Sequence, residues 1–254
     1  MNYFVEGLQG SGKSTLVGKL SGKYPDHKAL REGDYSPVEL AWCAYVSMEQ
    51  YDRILEKYSE IKELIEAKSV KEDDHMIICY TQIITDVPGF HRDLEQYEIY
   101  NGRRDFDEFK DIILRRYRKW NTDKMIFECS LFQNIVEDMI LYRCLSDEEI
   151  ISFYREVCNA LLGKDMHLYY LKTENISESI DVIRKERSDD DGNEMWYPLM
   201  IRYFDESPYA RKCGVSGNEG LLAHLKHRQE LELRMCQKLF GDRCTILKSK
   251  EYEL

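Results

Sequence analysis

The sequence predicts an α/β fold in which a parallel sheet carries helices on both faces. Three observations lead there. Short apolar runs alternate with helical patterns from one end to the other. A glycine-rich turn joins the first apolar run to the first helical one. The 254 residues, 43% hydrophobic and 33% charged, have globular composition and suffice for one sizeable core. No internal repeat, low-complexity tract or linker interrupts them, so the reading is one domain over 1–254.

Residues 2–5 read as a strand that runs into glycines. A helix with Leu16, Val17 and Leu20 follows until Gly22 and Pro25 stop it. A second strand near 27–31 leads to the loop Glu32-Gly33-Asp34-Tyr35. Ser36-Pro37-Val38-Glu39 then reads as a capping box with proline at the first helical position. That assigns Glu39 to capping and puts Trp42 and Tyr45 on the helix it opens. Residues 48–67 predict an amphipathic helix with Tyr51, Ile54, Leu55, Tyr58, Ile61, Leu64 and Ile65 inward. Met76–Tyr80 is strand or buried helix, and 84–104 is loop-like, within an insertion-like segment at 73–104. A helix at 106–119 precedes the strand Lys124–Glu128. Ser130 with Gln133 and Ser146 with Glu149 cap the next two helices, the second ending at Gly163. A strand at 167–171 and a helix from about 177 lead to Asp189-Asp190-Asp191-Gly192. A long helix over 218–239 stops at Gly241, before a last strand at 244–247.

The net charge of −11 and pI near 5.2 argue against nucleic-acid and anionic-membrane partners. Eight cysteines show no C-x-x-C spacing, which excludes a zinc ribbon and favours reduced thiols. The N-terminus lacks the pattern of a signal peptide and no stretch approaches a membrane span, so a soluble, cytoplasmic protein is expected. A homodimer is compatible with these readings.

Gly7-Leu8-Gln9-Gly10-Ser11-Gly12-Lys13-Ser14 matches G-x-x-x-x-G-K-[ST] throughout, between a strand and a helix. Polyphosphate oxygens need many donors at close range. Glycines let the backbone curl so that successive N–H groups point inward, and the following helix adds its positive end. Gly7, Gln9, Gly10, Ser11, Gly12, Lys13, Ser14 and Thr15 are therefore the candidate nucleotide-binding set. Lys13 is placed to reach the β and γ phosphates of ATP or GTP, and the Ser14 hydroxyl is a candidate Mg²⁺ ligand.

Such a loop serves kinases, GTPases and motor ATPases alike. Ile83-Ile84-Thr85-Asp86-Val87-Pro88-Gly89 looks like the D-x-x-G element of a switch, but no N-K-x-D for guanine accompanies it. Proline-glycine after an aspartate is also an ordinary turn. Three elements point instead to phosphoryl transfer. Glu32 and Asp34 follow the second strand, at the sheet edge where ligands sit in open parallel sheets. The strand at 124–128 delivers Glu128 to the same edge. Arg184, Lys185 and Arg187 end a helix before an acidic stretch, the pattern of a mobile basic lid over 184–212. Solvated carboxylates at 32 and 34, and an ion pair of Arg187 with Asp189 or Asp190, are the competing structural readings.

This order of elements resembles the deoxyribonucleoside kinase and thymidylate kinase branch of the P-loop kinases. An E-R-S-type motif ends an apolar strand in those families; here it is Phe127-Glu128-Cys129-Ser130-Leu131-Phe132. Lid arginines follow an apolar strand and a helix; here these are Leu168–Thr173 and Ile183-Arg184-Lys185-Glu186-Arg187. The resemblance implies a three-layer P-loop NTPase fold with a five-stranded parallel sheet, Mg-ATP on the loop, an acceptor in the cleft opposite, and a helical lid. It implies Asp34 or Glu32 as the base, Glu128 as holder of Mg²⁺ or the acceptor, and Lys13, Arg184 and Arg187 as cations on the transferring phosphoryl. Cys129 replaces the motif arginine, and the E-P-V-type motif is absent as such.

Tyr80, Tyr100, Arg103 and Arg104, with Trp42 and Tyr45, are candidate acceptor contacts, since rings stack and guanidinium groups grip charge. Three readings stand: a nucleoside or nucleotide kinase, an antibiotic or other small-molecule kinase on the same fold, and a nucleotide switch with no acceptor. His75, His167 and His224 show no ligand spacing, and His227 beside Arg228 receives no role.

Overall fold

The computed structural model describes residues 1–189 and 191–251; Asp190 of the acidic stretch lies outside the described residues. β1 (Asn2–Gly7) is buried along its whole length. It passes through the glycine-rich turn into α1 (Lys13–Lys23), which buries Leu16, Val17 and Leu20, and then to β2 (Lys28–Leu30). Next come β3 (Ala44–Ser47), α2 (Met48–Lys57), α3 (Lys62–Ala67), β4 (Ser69–Glu72), β5 (His75–Ile78), α4 (Phe90–Glu95) and α5 (Phe106–Lys119). β6 (Met125–Glu128), α6 (Gln133–Leu141), α7 (Asp147–Ala160), β7 (Met166–Lys172) and α8 (Ile176–Glu186) follow. α9 (Trp196–Asp205), α10 (Pro208–Cys213), α11 (Gly217–Met235) and β8 (Cys244–Lys248) complete the order.

The chain divides into two compact units, Met1–Ala29 with Asn121–Leu254, and Leu30–Trp120. The segment 73–104, read from sequence as an insertion in one domain, is part of the second.

The first unit is built on a five-stranded parallel sheet in the order β2-β6-β1-β7-β8, flanked by helices. β1 is its central strand. Phe4 lies opposite Phe127 of β6 and Leu168 of β7, and the two phenylalanine rings stack at 4.7 Å. A strand hydrogen-bonded on both sides and covered on both faces has no wet side, which is why it reads as a continuous apolar run. Tyr3, Val5, Leu16, Val17, Leu20, Ile126 and Leu171 form one cluster beneath α1.

The second unit contains a three-stranded antiparallel sheet, β3-β5-β4, which the sequence reading did not foresee. Val46, Tyr51, Ile54, Ile65, Ile78 and Phe90 pack into its core. No helix opens at Ser36. Its hydroxyl accepts from the backbone N–H of Val38 and Glu39, a local turn that competes with helix formation. Trp42 sits exposed in a turn at φ 63°, and Tyr45 lies on β3, so neither is helical. The amphipathic pattern at 48–67 breaks at Tyr58 into α2, a single 3-10 turn and α3, which leaves Leu64 exposed. The D-x-x-G-like element is a turn: Ile84 is 96% exposed, and Gly89, at φ 81°, precedes α4.

Candidate functional site

The glycine-rich segment joins β1 to α1 in a conformation that its glycines allow. Gly10 (φ 73°) and Gly12 (φ 92°) occupy the left-handed region, where a side chain is strained. At Gly10 there is also no room: a Cβ would lie 2.1 Å from Ile183 Cδ1 of α8. The Ser179 hydroxyl, also on α8, donates to Gly10 O at 3.4 Å, and the Ser249 hydroxyl donates to Ser11 O at 2.8 Å. The Ser11 hydroxyl is buried without a hydrogen-bond partner. Lys13 is buried, its Nζ donating to Gly7 O at 2.9 Å and Leu8 O at 2.8 Å. Ser14 and Thr15, in the first turn of α1, are exposed.

Glu128 ends β6 as expected, and its Oε1 accepts from the Ser14 hydroxyl at 2.5 Å. Two hard oxygen donors from separate elements thus meet beside the loop. The chain turns sharply behind them, with Cys129 at φ 56°. Ser130 does not cap α6; its hydroxyl donates to Glu128 O at 3.1 Å. The cap comes from β1 instead. Buried Glu6 accepts from the N–H of Leu131 at 2.6 Å and of Gln133 at 3.2 Å. Burial, with the charge of Glu232 adding to it, pushes the Glu6 carboxyl up to about 8 despite those donors.

A buried charge cluster lies on the other side of the loop. Along α11, His224, Arg228 and Glu232 recur every four residues and so share one face. The Arg228 guanidinium, 0% exposed, donates to Glu137 Oε2 at 2.6 Å and to Gln9 Oε1 of the glycine-rich loop at 3.0 Å. Its Nε stands 3.3 Å from Glu232 Oε1, within ion-pair range but not aligned for a hydrogen bond. Tyr170 donates to the other Glu232 oxygen at 2.7 Å, and His224 Nε2 meets Glu137 at 3.1 Å. Burial alone would raise Glu137, but the charges of Arg228 and then His224 hold it down to about 2. Glu232 is raised, chiefly by burial. Sequence reasoning missed Glu6, Glu137 and this α11 face; three ionisable residues at helical spacing among leucines were the available signal.

The arginines that the sequence suggests as lid cations are held within their own segment. Arg184 pairs with Glu194 at 2.7 Å and Asp181 at 3.1 Å and lies 4.6 Å over the Tyr197 ring. Arg187 stacks on Trp196 at 4.8 Å rather than pairing with Asp189. Arg184 and Tyr197 line an open groove along α9.

The remaining candidates lie in the second unit. Asp34 caps its own turn, accepting from Arg31 N at 2.8 Å and from Gln82 Nε2 at 2.5 Å; Glu32, two residues earlier, is exposed. Tyr100 donates to buried Glu39 at 2.6 Å, and Tyr80 to buried Glu98 at 2.6 Å. Burial raises both carboxyls to about 7. Arg103 pairs with Glu95 and Glu98, and Arg104 with Glu108 and the Tyr45 carbonyl. Tyr45 stacks on His75 at 4.3 Å and accepts from Arg115 at 2.7 Å. Of the six candidate acceptor contacts, Trp42 is the exposed one, and these internal bonds engage the other five. No protein-family model and no curated protein sequence matches the chain.

Proposed function

We propose that this chain is a phosphotransferase that takes the γ-phosphate of a magnesium nucleoside triphosphate to a small acceptor. The observation that carries the reading is the strand–G-x-x-x-x-G-K-S–helix unit with Ser14 and Glu128 joined beside it. The residues fit the ligand. The buried, unpartnered Ser11 hydroxyl suits a polyanion brought close to the main chain. Lys13 supplies the ammonium, its present acceptors being loop carbonyls that phosphate oxygens outcompete.

Ser14 and Glu128 are the residues to hold Mg²⁺. Among the described residues no group of three His, Cys, Asp or Glu forms a metal cage, and Mg²⁺ characteristically takes one or two protein oxygens plus phosphate oxygens and water. Bound there, the ion neutralises charge on the phosphates. Arg184 and Arg187 are the lid cations for the transferring phosphoryl. The acceptor class rests on the family resemblance and is a nucleoside or nucleotide. The net charge of −11 favours a neutral or cationic acceptor, which keeps an aminoglycoside-like or nucleoside antibiotic as the second reading.

The test is ADP release from Mg-ATP across a panel of nucleosides, nucleotides and antibiotics. Acceptor-dependent release that Lys13→Ala abolishes supports the transferase. Slow, acceptor-independent GTP hydrolysis would replace it with the switch.

A further inference from the structure

We infer that Arg228 is a positioning residue of the phosphate loop, acting through Gln9. The inference rests on the nucleotide-binding reading above and adds a part that the motif does not contain. A guanidinium with 0% exposure is costly unless its charge is balanced and its donors are used. Glu137 and Glu232 balance the charge. The remaining contact is spent on Gln9, a variable position of the loop pattern on the segment between Gly7 and Gly10. Arg228 therefore does not offer its charge to a phosphate. It holds one arm of the loop at a set distance from α11, a helix rooted in the core by Leu221, Leu225, Leu231 and Met235.

The next two residues are held separately. Ser179 and Ile183 of α8 bear on Gly10, and Ser249 bears on Ser11. With these contacts in place, the loop keeps the curled shape that phosphates require before they arrive, and less ordering entropy is lost on binding. Tyr170 of β7, one strand from β1, completes the frame by fixing Glu232.

Gln9→Leu tests this directly, because it removes the acceptor and leaves both carboxylate partners of Arg228 in place. The affinity for Mg-ATP, measured by isothermal titration calorimetry, is expected to fall about tenfold, the loss typical of one charge-assisted hydrogen bond. Arg228→Lys is expected to act in the same direction. The double variant then loses no more than the weaker single variant, since both changes delete one contact. A purely structural role for Arg228 predicts additive losses instead, and additivity overturns the inference. So does a Gln9→Leu affinity within twofold of wild type, which leaves the nucleotide reading intact. A wild-type protein that binds no magnesium nucleotide overturns that reading, and the inference with it. If Arg228→Lys fails to fold, Gln9→Leu decides alone.

Discussion

Gly10→Ala isolates what the glycine-rich loop between β1 and α1 demands of its backbone. The residue sits at φ 73°, where an L side chain costs about 1–2 kcal/mol. The added Cβ would also lie 2.1 Å from Ile183 Cδ1 and 2.4 Å from Cγ1, distances no real Cβ adopts. Ile183 is 2% exposed, so relief requires an unfavourable rotamer or a shift of α8, worth about 1–3 kcal/mol in a packed core. Together the change destabilises by about 2–5 kcal/mol, a fall in melting temperature of about 5–15 °C for a chain of this size. Differential scanning calorimetry reads it. Ile183→Ala alone opens a cavity and costs about 2–4 kcal/mol. Combined with Gly10→Ala, it removes the collision, so the double variant is more stable than the sum by about 1–3 kcal/mol. Strict additivity, or a Gly10→Ala protein melting with wild type, would refute the close approach of α8 to the loop. Nucleotide titration on the same proteins is expected to show weaker Mg-ATP binding in Gly10→Ala, because α8 and the loop move apart.

Stability is also expected to depend on pH through Glu6, raised to about 8, and Glu39 and Glu98, raised to about 7. A carboxyl raised on folding holds its proton longer in the native state. Its contribution is complete below about 4.5 and is lost as pH rises through 7 to 8. Denaturant titrations between pH 5 and 8 should show stability falling, with Glu6→Gln shallower by up to about 1.4 kcal/mol per pH unit. An unchanged slope removes Glu6 from the account. Glu137, held at about 2, works oppositely: its contribution is present above about 4.5 and fades as the solution is acidified towards 2.

What proved legible in the sequence was whatever short-range chemistry writes. The turn between β1 and α1 shows as closely spaced glycines, and the buried strands Asn2–Gly7 and Met125–Glu128 show as apolar runs because both their faces are covered. Ser146 with Glu149 caps α7 as its spacing predicts. Two serines misled for one reason: a capping box is a local pattern that other donors and acceptors can override. Ser36 bonds within its own turn, and the cap of α6 comes from Glu6, 125 positions from Leu131. Likewise β3 and β5 are four residues each, too short to show a period, and exist because they pair with one another.

The sequence by itself determined the α/β class and the strand that leads into the glycine-rich turn before α1. Only the tertiary structure decided that Arg228 reaches Gln9, that Glu6 caps a distant helix, and that Arg184 and Arg187 lie on the rings of their own segment. The physical reason is range. Backbone conformation and burial of a strand are set by neighbours along the chain, whereas a buried charge is tolerable only beside a partner that folding brings from elsewhere.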